Sequence, residues 1–392
     1  MIVEGEKKFV QKLAKGLDEL KNKNLFRRLK DFWPIEGMRA EYEGKQIINF
    51  SSNDYLGLSR HPLVKEKAQQ AIQEYGASCS ASRLISGNNP LFSPLEKALA
   101  QWKGKEKALI FPTGYSAAIG TIPALVGKSD LILMDKLCHA SLWDGARLSQ
   151  ATIRVFGHND IQNLKQILDR YAASYEKILI ISESIFSMDG DIAPLAEIVE
   201  LKERYEGLLL LDDAHAEGIV GEEGNGLASC LKVMDKVDVL MGTFSKALGS
   251  QGGYIASTAL LIDWVINKGR SFIFSTALSP SSIAAACSAL NIIKSESGTE
   301  LRKKLKDNLA YFMEESPNSR LFFSPIIPIL IGEEAKAIQV SQELEKMGIY
   351  LPPIRYPTVP KGTARLRISL TALHSTEQID YLKGALKKCL VQ

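Results

Sequence analysis

The sequence predicts an α/β fold, with a mostly parallel central sheet in a large domain and a smaller α+β domain after it. Three observations point there. Short apolar runs at 107–111, 131–134, 178–181, 208–211 and 237–241 carry little polar alternation, as strands do when a parallel sheet is covered on both faces. Helical text, such as 160–171 and 195–205, falls between these runs, and strand–helix alternation is the pattern of such a sheet. Near Gly298 the text changes to a Lys-rich helix at 301–313 and strands at 326–331 and 366–370, with a helix at 334–347 between the strands.

The elements follow in order. Residues 1–30 read as one amphipathic helix, because Phe9, Leu13, Leu17 and Leu20 recur at three- and four-residue spacing. Pro34 and Gly37 are expected to end it. We place an N-terminal helical segment at 1–48, the large α/β domain at 49–295 and the C-terminal α+β domain at 296–392. Neither internal repeats nor low-complexity tracts appear.

A chain of 392 residues, 45% apolar and 24% charged, can bury two ordinary cores without disulfides. Its 48 Lys+Arg against 45 Asp+Glu give a net charge of +3, which is no electrostatic footprint for nucleic acid. The Lys-rich helix from Leu301 reads as a solvated face. Five scattered cysteines (Cys79, Cys138, Cys230, Cys287, Cys389) include no CxxC. Neither a disulfide framework nor a zinc site is expected, and reduced thiols suit a cytoplasmic protein. Residues 1–30 lack the apolar core and cleavage site of a signal peptide. No run reaches the roughly 20 apolar residues of a membrane helix; the longest, at 283–293, is broken by Ser288 and Asn291.

Ligands of open α/β sheets bind beyond the carboxyl ends of the strands. After the run at 208–211 stand Asp212, Asp213, Ala214 and His215; after 237–241 stand Gly242, Thr243, Phe244, Ser245 and Lys246. After 178–181 come Ser182, Glu183 and Ser184, then Phe186-Ser187-Met188-Asp189-Gly190, and after 107–111 come Pro112, Thr113, Gly114, Tyr115 and Ser116. One sheet edge thus collects acids, a histidine, a lysine, hydroxyls and a glycine turn. A pyridine-aldehyde cofactor needs this mixture: a lysine for a Schiff base, a carboxylate for the ring nitrogen, and helix-start N–H groups for its phosphate. A lysine after a strand is ordinarily a surface residue. Asp212 and His215 beside it favour chemistry, since perturbed ionisable groups cluster at sites. Asp213 reads as a solvated or capping neighbour, and His61, His158 and His374 as structural.

Rival motifs fail. Gly127-Lys128-Ser129 resembles the end of a P-loop, but Ile122 stands where its first glycine belongs. No GxGxxG, HExxH or GxSxG occurs. A nicotinamide oxidoreductase is therefore disfavoured, and no metal is expected.

With Asp212-Asp213-Ala214-His215 followed by Thr243-Phe244-Ser245-Lys246, the chain resembles the α-oxoamine synthases, enzymes of fold type I that use pyridoxal 5′-phosphate (PLP). The likeness covers nearly the whole chain. It includes Asn49-Phe50-Ser51-Ser52-Asn53-Asp54-Tyr55-Leu56-Gly57-Leu58, Cys138-His139-Ala140-Ser141, Phe186-Ser187-Met188-Asp189-Gly190-Asp191 and Phe274-Ser275-Thr276-Ala277-Leu278. The resemblance implies decarboxylative condensation of an amino acid with an acyl thioester. The tail from Tyr356 to Arg367, with Leu370-Thr371-Ala372, is most similar to the branch that joins L-alanine to a pimeloyl thioester in biotin synthesis. The carrier is either coenzyme A or an acyl carrier protein.

The resemblance also implies roles. Lys246 would bond the cofactor aldehyde and move the α-proton, and Asp212 would pair with the ring nitrogen. His139 would stack on the ring, and His215 would hydrogen-bond its oxygen. Ser187 and Thr243 would contact the cofactor through hydroxyls, and Gly114 and Tyr115 would offer N–H groups to the phosphate. Asn53 and Arg367 would hold the amino-acid carboxylate; of Arg365 and Arg367, one is expected to face the site, and the resemblance selects Arg367. Arg27 and Thr358 match positions that meet substrate. Thr276 would reach the phosphate across the interface of a homodimer with shared sites.

The text departs from the family at Phe92, where relatives carry histidine, and at Asn225, where arginine is common. Ser78-Cys79-Ser80-Ala81-Ser82-Arg83 is closer to the serine palmitoyltransferase branch. Glycine or serine as donor, with another acyl thioester, is therefore the alternative within the family. A non-catalytic partner that keeps the fold is the alternative outside it, and Lys246, Asp212 and His215 together argue against it.

Overall fold

The structure, a computed structural model, describes residues 4–314 and 324–390. Among the described residues, the segment that reads as helical to residue 30 is helical over Glu4–Asn22 and no further toward residue 30. Asn24 takes a left-handed conformation (φ 57) and the Leu25 N–H reaches back to the Leu20 carbonyl at 2.8 Å. This C-terminal cap stops the helix before Pro34 can. Phe9, Leu13 and Leu17 on its apolar stripe stay exposed. Strands β1 (Trp33–Pro34), β2 (Arg39–Tyr42) and β3 (Lys45–Asn49) follow as an antiparallel ribbon. Their two to five residues hold too few apolar positions to stand out in the sequence.

The central sheet has seven strands: β4 (Lys107–Phe111), β5 (Leu131–Asp135), β6 (Thr152–Phe156), β7 (Ile178–Glu183), β8 (Leu208–Asp212), β9 (Val239–Thr243) and β10 (Gly253–Ser257). Their order is β4-β10-β9-β8-β7-β5-β6, and β10 alone opposes the others. The α/β fold with a mostly parallel sheet is as expected. Side chains alternate between two cores: Ile178, Ile180, Leu209 and Leu211 enter one, and Leu179, Ile181 and Leu210 enter the other. Burial on both faces explains the unbroken apolar runs. Two strands were not legible. β6 is an edge strand with Arg154 and Val155 exposed, and β10 contains Gly253, Tyr254 and Ser257 rather than an apolar run. The run read at 237–241 lies two residues later, at Val239–Thr243.

The last hundred residues add β11 (Ile326–Gly332), β12 (Ile349–Tyr350), β13 (Pro353–Ile354) and β14 (Ala364–Ser369). β11, β14 and β13 form one antiparallel sheet, while β12 joins β3 in parallel. Helices Glu334–Lys346 and Thr376–Leu390 accompany them. Hydrogen bonds from Ser369 N–H to the Phe50 carbonyl (2.7 Å) and from Ala372 N–H to the Tyr55 carbonyl (2.8 Å) tie this module to the 50–55 segment. That tie carries β14 to the edge of the central sheet's site.

Candidate active site

Four strands end at one cavity of about 300 Å³. β7 ends on Glu183, β8 on Asp212 and β9 on Thr243, and the helix Gly114–Leu125 starts just beyond β4. The lining brings together Gly114, Tyr115, His139, Asp212, His215, Thr243 and Lys246. It does not include Ser187, Thr276, Arg27, Asn53, Thr358 or Arg367.

Thr113 caps the helix Gly114–Leu125 through a reciprocal pair with Ser116. Among the described residues the Gly114 and Tyr115 N–H groups have no protein acceptor, so this helix start is open to an anion. A Cβ at Gly253 would meet Gly114 N at 2.4 Å; only glycine there lets β10 lie against the helix start.

Asp212 is 7% exposed. One of its oxygens accepts the Ala214 N–H at 3.0 Å; the other has no protein donor among the described residues. Burial raises its pKa, against the opposing charge of Lys246. The ammonium of Lys246, half-buried in the turn after β9, has no hydrogen-bond partner among the described residues. Burial lowers its pKa from 10.5, while Asp212, Glu183 and Glu217 oppose the shift. Glu183 is the register partner of Asp212 across β7 and β8. Burial, and then the Asp212 charge, push its carboxyl well above the usual range. Burial and the Asp212 charge both favour the protonated form of Glu183. Glu183 also accepts the backbone N–H of His139, which caps the helix Ala140–Ser149.

His215 is buried, and burial, followed by the charges of Lys246 and Arg367, holds its pKa well below 6.5. Its ring is neutral. Nδ1 lies 2.7 Å from the Tyr55 hydroxyl. That hydroxyl has a single hydrogen, and Asn53 Oδ1, 3.1 Å away, is already served by Arg367 Nη1 at 3.1 Å. We assign the hydrogen to His215 Nδ1, which leaves Nε2 as the donor.

Arg367, 7% exposed, donates to Asn53 Oδ1 and to the Ser187 carbonyl. The expectation that only one of Arg365 and Arg367 faces inward is overturned, because residues two apart on a strand share a face. Arg365 reaches the same loop, donating to the Met188 carbonyl at 3.2 Å and Asp189 Oδ1 at 2.6 Å. Asp213 is likewise corrected: it is buried and paired with Lys103 at 2.6 Å, with both side chains 0% exposed, and accepts the Ser184 hydroxyl at 2.5 Å. Arg27, Thr358 and Thr276 are exposed, and Ser187 is buried with its carbonyl turned to Arg367. Phe92 is a core ring, 1% exposed, lying 4.0 Å beneath the Arg83 guanidinium.

Sequence reasoning missed three buried groups. Tyr55 stands in the 49–58 segment, where the resemblance gives it no role. Glu183 was one of several polar residues after the apolar run at 178–181. Glu217, which accepts the Thr243 N–H and the Tyr254 hydroxyl, each at 2.6 Å, lies in no motif; its only signal is a lone acid in small apolar text.

A PLP molecule suits this donor set, with open N–H groups for the phosphate, a buried carboxylate with one unclaimed oxygen for the ring nitrogen, and an unpartnered lysine for the aldehyde. Fold and site together define a PLP-dependent transferase. The aminotransferase class I and II family model matches residues 45–386, and the chain belongs to that family. It is 43% identical over 382 residues to 8-amino-7-oxononanoate synthase of Thermoanaerobacter pseudethanolicus, covering 96% of each chain. Among solved structures, a PLP-bound serine palmitoyltransferase from S. paucimobilis superposes with a TM-score of 0.89 at 27% identity, covering 97% of this chain and 98% of that one. An 8-amino-7-oxononanoate synthase from Francisella tularensis gives 0.74 at 27% identity, covering 88% and 98%.

Proposed function

We propose that this protein condenses L-alanine with a pimeloyl thioester, releasing carbon dioxide and the free thiol, to make 8-amino-7-oxononanoate for biotin synthesis. The observation that carries the reading is the 43% identity over 96% of each chain to a synthase of that name, joined to a site whose residues suit its chemistry. PLP, when bound, supplies the electron sink that makes the α-carbon acidic and lets the carboxylate leave.

The chain's own residues do the rest. Lys246, its charge disfavoured by burial, removes the α-proton of the amino acid and later returns one. Asp212 would hold the proton on the ring nitrogen, and His215 would donate through Nε2 to the ring oxygen. His139 would pack against the ring face. Arg367 and Asn53 hold the amino-acid carboxylate and so set which α-carbon bond is aligned to break; a planar guanidinium suits that anion. Ser187, Arg27 and Thr358 are assigned to cofactor and substrate through the family likeness alone. In this reading residues 49–295 bind the cofactor and 296–392 supply Arg367 and Thr358.

The protein works as a cytoplasmic homodimer, Thr276 reaching the partner's phosphate site. The exposed stripe of the N-terminal helix and the exposure of Thr276 support that assembly. No described helix is long and apolar enough to cross a membrane.

One observation favours a second reading. The superposition on a serine palmitoyltransferase, 0.89, exceeds that on an 8-amino-7-oxononanoate synthase, 0.74. The test is thiol release by the PLP-loaded protein from pimeloyl-CoA with L-alanine, glycine or L-serine. Release with 8-amino-7-oxononanoate formed only from L-alanine supports the first reading. Release with L-serine or glycine instead moves the donor assignment. No release with any donor directs the assay to pimeloyl-carrier protein.

A further inference from the structure

His158, which reads as merely structural, occupies an unusual setting. It follows β6 and lies between two carboxylates. Nδ1 is 3.0 and 3.2 Å from the two oxygens of Asp135, and Nε2 is 2.5 Å from Asp191 Oδ2. Its ring meets Phe186 edge-on at 4.4 Å. Asn159 completes the cluster: its N–H donates to Asp135 at 2.8 Å, and its side-chain amide donates to Asp191 at 3.1 Å and to the Ile192 carbonyl at 3.3 Å. Asp135 is fully buried at the end of β5. Asp191 ends the loop that begins at Phe186. The cluster therefore bolts that loop to the central sheet.

The same loop is what the C-terminal module grips. Arg367 donates to the Ser187 carbonyl, and Arg365 to the Met188 carbonyl and Asp189. The loop closes on itself through Phe186 N–H to the Asp191 carbonyl at 3.0 Å and Gly190 N–H to the Phe186 carbonyl at 2.8 Å. Gly190, at φ +70, lies against the Ile326 carbonyl, 2.3 Å from where a Cβ would sit. Movement of Asp191 would thus be passed to the carbonyl that orients Arg367.

We propose that His158 is a positioning residue: clamped between Asp135 and Asp191, it fixes the 186–191 loop and, through the Ser187 carbonyl, the Arg367 guanidinium that receives the amino-acid carboxylate. The last step rests on the reading of Arg367 given above. Both ring nitrogens face carboxylates, so both must donate, and only the protonated ring has two donors. The titratable groups that face it are Asp135 and Asp191. Burial opposes the charge, but these two acids outweigh it and raise the pKa to about 9. The clamp is therefore charged at neutral pH and loosens as pH rises through about 9.

The experiment uses the PLP-loaded full chain with His158→Gln, Asp191→Asn, Arg367→Lys and the His158→Gln/Arg367→Lys double variant. His158→Gln is expected to raise KM for L-alanine about tenfold with kcat little changed, the scale of one charge-assisted hydrogen bond. Amide exchange across 186–191 should quicken in the same variant. Asp191→Asn, the milder change, should do both to a smaller degree. With Arg367 already replaced, His158→Gln should add little further to KM. Unchanged KM and unchanged loop exchange in both clamp variants overturn the proposal, as does a full additive loss in the double variant. If Arg367→Lys leaves KM for L-alanine untouched, the reading of Arg367 fails and the proposed link to substrate falls with it. Loop exchange in His158→Gln then reports separately on the clamp.

Discussion

The Tyr55 hydroxyl lies 2.7 Å from Nδ1 of His215, a residue 160 positions later. The same hydroxyl is 3.1 Å from Asn53 and 3.4 Å from Arg367 Nη2. One buried phenol therefore links the group that would face the cofactor oxygen to the pair that would hold the carboxylate. Tyr55→Phe keeps the ring and removes this link. We expect kcat/KM for L-alanine to fall about tenfold, the cost of leaving a buried polar partner unpaired. Steady-state kinetics in thiol release measures it.

Lys246→Ala should abolish turnover, by about a thousandfold or more, because the proton transfer loses its base. The ammonium has no hydrogen-bond partner among the described residues, so the melting temperature should hold. Retained turnover in this variant would sink the assignment.

Glu217 is 0% exposed, and burial, against the charge of Lys103, raises its pKa from 4.5 to about 7. Between those values the folded chain keeps a proton that the unfolded chain releases, so this group lowers stability as pH rises from about 4.5 to 7. Glu217→Gln removes the titration; its amide oxygen can accept the Thr243 N–H, and its NH2 would donate to the Tyr254 oxygen, reversing that bond. Its melting temperature should gain on the parent across that window and hold its lead above it. Ionised Glu217 also raises the pKa of Lys246, so the pH midpoint of the visible band of the PLP-loaded variant should move down. A midpoint that stays put would limit Glu217 to a structural part.

His374, 0% exposed, stacks on Phe50 at 4.3 Å, and its Nδ1 lies 3.0 Å from the Thr371 N–H. Burial lowers its pKa from 6.5 to about 4. Unfolded chains take up the proton first, so stability is full above pH 6.5 and is lost as pH falls toward 4. The loss is about 3 kcal/mol at most. Denaturant unfolding at stepped pH should show this acid loss in the parent and much less of it in His374→Gln.

Much of this was legible because it is local. Five of the seven central strands announce themselves as apolar runs, and each ends within a few residues of the side chains it presents. Asp212 with His215, and Thr243 with Lys246, are pairs of this kind: β8 and β9 are parallel neighbours, so their carboxyl ends meet wherever the sheet forms. The helix start at Gly114 needs only Thr113 and Ser116 beside it.

The tertiary structure alone decided which buried polar groups meet. Arg367 and Asn53 are 314 positions apart, and no periodicity pairs them; β14 reaches Asn53 because Ser369 bonds to Phe50. Asp213 reads as a solvated neighbour until Lys103 is folded onto it, and His158 reads as structural until Asp135 and Asp191 are seen on either side. By itself the sequence determined the sheet, its burial on both faces and the chemistry gathered at its edge. These follow from strand spacing and from side-chain period along single segments. Partners of buried charges and hydroxyls follow instead from how distant segments pack, and burial makes those partners obligatory.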